Sequence, residues 1–188
     1  PRLLNTVNSG TLIPARIIQT APTRELSPAA RAVASSLRLH HPQWEHLFFD
    51  DRDIAGFVAS EYPEHRATLQ EFPHPVQRAD FFRYLAVHRL GGFYLDLDVI
   101  LEAPLGDLRS HRAVFPFEEI SLNRHLREAH GIDLEIGNYA FGATAGHPFL
   151  GAVIRDCVRG ARDRAWREPM FRGIPRWFQR DFEVLNTT

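Results

Sequence analysis

The chain has 188 residues, 44% of them hydrophobic and 24% charged, and its formal net charge is −1. These values are typical of one globular domain with a sizeable core, and the near-neutral charge argues against a nucleic-acid partner. Cys157 is the only cysteine and lysine is absent. This excludes an intrachain disulfide, a cysteine metal cluster, a Walker lysine and a lysine Schiff base. No apolar run approaches the roughly 20 residues of a membrane span.

Periodicity and turn signals predict strands that alternate with helices. In chain order the expected strands are residues 16–20, 44–49, 93–101, 114–117 and 138–143. The expected helices are residues 28–39, 53–60, 76–90, 122–129 and 148–164. Residues 61–75 are expected to form a loop or short helical turns, and residues 166–188 are weakly patterned. This alternation is typical of an α/β sandwich with a mostly parallel sheet.

Two of the helices have clear boundary signals. Ser27 is a suitable N-cap and Pro28 suits the first helical position of the helix that follows. The helix over residues 76–90 is stopped by Gly91 and Gly92. Its apolar side is predicted to consist of Phe81, Phe82, Leu85, Val87 and Leu90.

The segment 91–99 carries the most informative pattern. If its strand continues through Val99, side chains alternate, so that Tyr94, Asp96 and Asp98 share the face opposite the core. Two carboxylates roughly 7 Å apart repel each other unless a cation lies near. A hard divalent ion accepts carboxylate oxygens and leaves positions for phosphate oxygens, which suits a metal–diphosphate complex. A solvated strand end is the alternative, although two acids in an otherwise apolar strand need a reason.

The preceding helix adds a polar face, because Asp80, Arg83 and Tyr84 stand at i, i+3 and i+4. In one interpretation, Asp80 holds a ribose or sugar hydroxyl and Arg83 meets a phosphate bidentately. In the other, the two form an ordinary ion pair worth a few tenths of a kcal/mol.

Together these motifs resemble a known family. Residues 78–85, with the pattern R-x-D-x-x-R-Y, and residues 91–98, with the pattern G-G-x-Y-L-D-x-D, resemble the DXD-containing sugar-binding region of family 32 glycosyltransferases. That family includes initiating α-1,6-mannosyltransferases, α-1,4-galactosyltransferases and bacterial capsule enzymes, and it is related to the clostridial glucosylating toxin core. The resemblance extends over about residues 13–150, including a later N-x-x-x-G and G-H-P motif.

The resemblance implies a GT-A type fold, a Rossmann-like α/β/α sandwich, as a single domain over residues 1–188. It implies Mn²⁺ or Mg²⁺, a UDP- or GDP-sugar donor, and transfer with retention to a glycan, lipid or protein hydroxyl. By the same resemblance, Asp98 is the direct metal ligand and Asp96 meets the metal through water or a donor hydroxyl. The remaining donor contacts are expected at Gln19, Thr20, Asp80, Arg83, Tyr94 and Asn138.

Two departures from the family pattern matter. The first strand often continues as H-Q-x-W, but Ile18 and Ala21 replace the histidine and the tryptophan, so the base is not predicted. Residues 185–188 resemble the start of the family's T-G-P segment, and we expect further metal and acceptor residues to follow that segment.

The expected location is the bacterial cytoplasm beside a membrane, with a Golgi lumen as the alternative. Arginines within residues 155–167 are expected to form a solvated helix face, with an anionic-lipid or acceptor contact as the alternative.

Two other functions compete with this one. A sugar-nucleotide-binding module without catalysis would share the same fold. A haloacid-dehalogenase-type phosphatase also carries D-x-D after an apolar strand, with Asp96 as nucleophile and Asp98 as acid/base. Ile100 where that family usually has threonine, and the absence of lysine, disfavour the phosphatase.

Overall fold

The computed structural model describes residues 12–118, 128, 131 and 135–171. The strands are β1 (Arg16–Thr20), β2 (Glu45–Phe49), β3 (Gly92–Leu95), β4 (Ala113–Val114), β5 (Phe117–Glu118), β6 (Glu135–Ile136) and β7 (Ala140–Ala143). The helices are α1 (Pro28–His40), α2 (Asp51–Glu61), α3 (Arg66–Glu71), α4 (Pro75–Leu90), α5 (Pro148–Arg162) and α6 (Arg164–Arg167). Short 3₁₀ helices cover Pro63–His65, Gly106–Ser110 and Glu168–Phe171.

Among the described residues, five strands form one sheet in the order β2-β1-β3-β7-β4. Strand β1 pairs in parallel with both β2 and β3, whereas β7 pairs antiparallel with β3 and with β4. Four of these five strands therefore point the same way, which confirms the prediction of a mostly parallel sheet. The short ribbon of β5 and β6 pairs separately, with Phe117 opposite Ile136.

Helices cover both faces of this sheet. Ile18 packs into the larger core with residues of α2, α4 and α5, whereas Ile17 packs with Leu37 of α1 and with Leu95. Successive residues of a strand point to opposite faces, so these two isoleucines mark the two cores. The result is the α/β/α sandwich that the sequence predicts.

The local signals at the helix ends act as expected. The Ser27 hydroxyl accepts a hydrogen bond from the amide of Ala30, and Pro28 occupies the first turn of α1. Asp50 and Asp53 form a reciprocal capping box at the start of α2, so one acid after β2 has a structural role. Gly91 ends α4 with φ of 65°, and a Cβ there would lie 2.8 Å from Cγ of Pro14.

Three predicted elements differ from the structure or lie outside the described residues. The strand predicted over residues 93–101 is wrong beyond Leu95, because β3 ends there and a turn follows. The strand predicted over residues 114–117 is two short strands, β4 and β5, interrupted at Phe115 and Pro116. The helix predicted over residues 122–129 lies outside the described residues except for Glu128.

Helix α4 is buried on nearly every side, not only along its predicted apolar face. Residues 80–87 are all buried, and Leu90 is half-buried, because α4 lies between the sheet and the helices α2, α3 and α5. No helix in the described part of the chain combines the length and apolar character of a membrane span.

Candidate functional site

Helix α4 places an ion pair in the protein interior. Nη2 of Arg83 lies 2.6 Å from Oδ1 of Asp80, and the two side chains are only 6% and 9% exposed. The two residues stand three positions apart, so one face of the helix carries both, as the sequence predicts. A pair this deeply buried is costly to desolvate unless further hydrogen bonds satisfy it.

Those further bonds come from two distant parts of the chain. Nη1 of Arg83 donates to the backbone oxygen of Asn138 at 2.9 Å and to its side-chain oxygen at 3.0 Å. The guanidinium also lies 3.3 Å from Oδ1 of Asp96 and 4.6 Å above the ring of Tyr94. Its Nε is buried and has no hydrogen-bond partner among the described residues. Arg83 is thus held firmly and keeps one donor free.

Two consecutive hydrogen bonds, from Thr20 to Tyr94 and from Tyr94 to Asp96, hold the Asp96 carboxylate from the core side. The hydroxyl of Tyr94 donates to Oδ1 of Asp96 at 2.6 Å, and the Thr20 hydroxyl lies 2.9 Å from the Tyr94 oxygen. Since Tyr94 has one hydroxyl hydrogen and gives it to Asp96, the Thr20 hydroxyl is the donor in the second bond. Tyr94 is fully buried, so it supports the site beneath Arg83.

The two aspartates of the DXD motif occupy different environments. The backbone amide of Asp96 donates to the backbone oxygen of Tyr139 at 2.8 Å, and the backbone oxygen of Asp96 accepts from the amide of Val99 at 3.2 Å. This turn begins where β3 ends, so the strand alternation expected for Asp96 and Asp98 does not apply. Asp96 is half-buried, whereas Asp98 is exposed at the turn and forms no ion pair within the described residues.

The charges of the site do not balance. Burial raises the pKa of Asp96, the negative charge of Asp98 raises it further, and Arg83 with the Tyr94 hydroxyl opposes both. Burial alone would lower the pKa of Arg83, but Tyr94, Asp80 and Asp96 raise it above its ordinary value. The carboxylates of Asp80 and Asp96 contact the Arg83 guanidinium, and Asp98 adds a third negative charge near Asp96, so these four side chains carry two net negative charges when all are ionised. The arrangement favours a bound cation.

The remaining predicted residues lie around this centre. Asn138 donates its amide hydrogen to the Tyr84 hydroxyl at 3.2 Å, and burial raises the pKa of Tyr84. Gln19 is buried and donates to the Leu95 oxygen at 3.4 Å, just before the DXD turn. The sequence did not predict the Tyr84–Asn138 or the Tyr94–Asp96 bond, because no local pattern indicates which distant polar group a helix side chain will meet.

The donor set suits a hard divalent ion only in part. Asp98 offers a free carboxylate and Asp96 an oxygen beside it, and oxygen ligands are those that Mg²⁺ and Mn²⁺ prefer. Within the described residues, no three His, Cys, Asp or Glu side chains converge to hold a metal ion by themselves. An ion at this turn would need further oxygens, such as those of a diphosphate.

Comparison with known proteins identifies the class. Residues 29–115 match the model of the glycosyltransferase sugar-binding region containing the DXD motif. Residues 29–115 of the chain therefore belong to this family of glycosyltransferase regions. The match includes α1, β3, the Asp80–Arg83 pair and both aspartates of the turn.

The similar proteins include several mannosyltransferases. Inositol phosphoceramide mannosyltransferase 3 of Schizosaccharomyces pombe is 30% identical over 154 residues, which cover 82% of this chain and 40% of the relative. The initiation-specific alpha-1,6-mannosyltransferase of the same organism is 26% identical, over 69% of this chain and 35% of that protein. This chain therefore spans less than half the length of these relatives.

The fold also matches a solved structure. The PaToxG glycosyltransferase superimposes on 93% of this chain and 74% of its own, with a TM-score of 0.59 and 16% sequence identity. At that identity the likeness concerns the fold, which is the GT-A type that the sequence predicts.

Proposed function

We propose that this protein transfers a sugar from a nucleotide diphosphate sugar to an acceptor hydroxyl. The observation that carries the proposal is Arg83, a buried guanidinium with one free donor, surrounded by carboxylates at the end of β3. A fixed positive group of this kind can stabilise the charge that develops on a leaving diphosphate without reorganising. Membership of the family supports the same reaction class.

Each residue has a role in this proposal. Arg83 supplies a fixed positive charge beside the diphosphate, and Asp80 keeps the guanidinium oriented. Asn138 fixes the other side of Arg83 and presents a polar side chain toward the sugar. Tyr94 and Thr20 hold Oδ1 of Asp96, and Oδ2, which accepts from Nη1 of Arg83 at 3.4 Å, is the oxygen that we propose meets the donor or the cation.

The proposed cation is Mn²⁺ or Mg²⁺, held by Asp98 with help from Asp96. When bound, it would neutralise the diphosphate and so lower the barrier to breaking the bond between sugar and phosphate. The excess of two negative charges among Asp80, Arg83, Asp96 and Asp98 supports this part of the proposal. We further propose retention of anomeric configuration, with the acceptor hydroxyl approaching on the face from which the diphosphate leaves.

Mannose is the sugar to test first, because the names of the similar proteins refer to mannosyl transfer. The names of two of them also refer to inositol phosphoceramide or mannosyl phosphorylinositol ceramide. We therefore propose a phosphorylated lipid as the first acceptor class, with glycans and proteins as alternatives. A lipid acceptor would bring the protein to a membrane surface, and we place it in the cytoplasm beside that membrane.

Donor hydrolysis tests the proposal. GDP-mannose and a set of UDP-sugars would be incubated with the protein in Mn²⁺, in EDTA, and with the variant Asp98→Asn. Asp107→Asn is the matched control, because it also removes an exposed carboxylate but lies away from the DXD turn. Hydrolysis of one donor that requires both Mn²⁺ and Asp98 supports the proposal.

The other results separate the alternatives. Failure to hydrolyse any donor, together with no Mn²⁺-dependent nucleotide binding by calorimetry, would overturn the transferase assignment. Nucleotide binding without turnover, even when lipid and glycan acceptors are supplied, favours a binding module that has kept the fold.

A further inference from the structure

A cleft lies on the opposite face of the sheet from Arg83. It has a volume of about 320 Å³ and is lined by α1, by the segment before it and by the strands β1 and β2. Ile17 contributes to this cleft, whereas its neighbour Ile18 packs into the core beneath the candidate active site. The two sites are therefore separated by the thickness of the sheet.

The cleft exists because α1 packs on the sheet with small side chains. Leu37 is the only completely buried residue of that helix, and Ala34 and Ser35 line the cleft where larger residues would fill it. The strands contribute Phe48 and Ile17 to its apolar wall. A volume of this size lies at the lower end of the range for small-ligand pockets, roughly 300–1,000 Å³.

Three arginines line the cleft, and none of its described lining residues is acidic. Arg24 is already neutralised by ion pairs with Asp50 and Asp53. Arg31 donates to the backbone oxygen of Leu26, and neither Arg31 nor Arg38 forms an ion pair with any described carboxylate. Helix α1 itself contains no acidic residue. No described carboxylate therefore pairs with the charges of Arg31 and Arg38.

The two unpaired arginines point the same way. Arg31 and Arg38 stand seven residues apart, which is two helical turns and roughly 10 Å along the axis. Residues at this spacing lie on one side of a helix, so both guanidiniums can reach a ligand in the cleft. Guanidinium groups bind phosphate oxygens bidentately, and the apolar wall favours a ligand that is more than a bare ion.

We propose that this cleft binds an organic phosphate, with the phosphate on Arg31 and Arg38 and the apolar part against Phe48 and Leu26. The site does not require the proposed transferase activity, and it shares Gln19 with the expected donor contacts. Its occupant would contact Gln19, whose side chain is bonded to the Leu95 oxygen at the start of the DXD turn.

Nuclear magnetic resonance titration with phenyl phosphate tests this proposal. EDTA is present throughout, so that metal-dependent binding at the DXD turn is suppressed. The amide signals of Ala34 and Ser35 are expected to shift, and inorganic phosphate should bind more weakly because it has no apolar part. Unshifted signals at these two residues would overturn the proposal.

Variants separate a built site from general attraction. Arg31→Gln with Arg38→Gln should weaken binding at least roughly tenfold. Arg66→Gln with Arg89→Gln is the matched control, because it removes the same charge from exposed helix positions elsewhere and should leave binding unchanged. Equal weakening by both pairs would show attraction by net charge alone and would overturn the site.

A third variant keeps the charge and fills the space. Ala34→Met places a larger helix-forming side chain in the cleft and should abolish the shifts, with thermal unfolding confirming the fold. Undiminished binding by this variant would contradict the proposed position of the ligand in the cleft.

Vesicles of phosphatidylcholine, with and without phosphatidylinositol, identify the source of the phosphate. Competition by the phosphatidylinositol vesicles supports the site as one for a lipid headgroup, and competition by neither supports it as one for a soluble phosphate.

Discussion

The Tyr94 hydroxyl donates a 2.6 Å hydrogen bond to Oδ1 of Asp96 from within the core. The first aspartate of the DXD turn is thus fixed by the tyrosine two residues before it, although β3 ends between them. Thr20, at the end of β1, completes this chain of hydrogen bonds. A residue of β1 therefore helps to position Asp96, which follows the neighbouring strand β3.

Removing that bond should affect activity more than folding. We expect Tyr94→Phe to lower the rate of donor hydrolysis at least roughly tenfold, because a bond to a charged group is worth about 1.5–3 kcal/mol. Tyr62→Phe is the control: its hydroxyl is bonded to Nδ1 of His88 at 2.8 Å, away from the site. Hydrolysis rates and thermal unfolding would be measured for both. If Tyr62→Phe lowers the hydrolysis rate as much, Tyr94 has no positioning role.

Breaking the Asp80–Arg83 pair should destabilise the fold. Arg83→Gln removes the guanidinium that pairs with the buried Asp80 carboxylate, and breaking a buried ion pair costs about 3–5 kcal/mol. The double variant Asp80→Asn with Arg83→Gln should recover much of this free energy of unfolding in urea, while donor hydrolysis stays lost. Recovered hydrolysis in the double variant would mean that Arg83 serves only the fold.

Acid should destabilise the protein through His41. The Nδ1 of His41 donates to the Leu37 oxygen and its Nε2 accepts from the amide of Leu105, so the ring is held neutral. Burial lowers the pKa of His41 below its ordinary value of 6.5, with the Leu37 bond opposing. Between these two pKa values the unfolded state binds more protons, so stability decreases as pH falls below 6.5.

The measurement is the unfolding midpoint in urea as a function of pH. His41→Gln should lower stability at neutral pH by about 1–3 kcal/mol, since a buried hydrogen-bonded ring is lost, and should flatten the pH dependence. His40→Gln is the neighbouring control, since no described residue forms a hydrogen bond of this kind with that ring. An unchanged pH dependence in His41→Gln would assign the acid sensitivity to other histidines.

A single glycine allows the two central strands to pack. A Cβ at Gly142 would lie 2.4 Å from Cδ1 of Phe93, its register partner on β3, so Gly142→Ala forces the ring to move. We expect a loss of about 1–3 kcal/mol in the free energy of unfolding. Gly56→Ala on α2 has open space around it and should gain about 0.5–1 kcal/mol. Chemical denaturation of both variants measures whether Gly142→Ala lowers, and Gly56→Ala raises, the free energy of unfolding.

Local patterns in the sequence predicted much of the architecture. Residues 16–20 form β1 within the predicted bounds, and the Ser27 cap and the Gly91 stop lie where their chemistry places them. Asp80 and Arg83 were predicted on one helix face, because helical spacing alone determines that geometry. The GT-A fold and the glycosyltransferase class were predicted from the family resemblance and not from periodicity or spacing.

Other features depend on contacts between distant residues. The apolar run through residue 101 predicts a long strand, but Asp96 bonds to Tyr139 and turns the chain after Leu95. The antiparallel direction of β7 between β3 and β4 leaves no local signal either, since strand direction is set by the path of the chain.

The sequence by itself determined the helices, the parallel strands and the residue types of the site, because these follow from periodicity, capping and spacing over a few residues. Only the tertiary structure decided that Asn138 meets Arg83, that Tyr94 lies beneath the guanidinium, and that α1 leaves a cleft over β1 and β2. The physical reason is that such contacts join residues tens of positions apart. Their geometry depends on how whole elements pack and not on the preferences of any one segment.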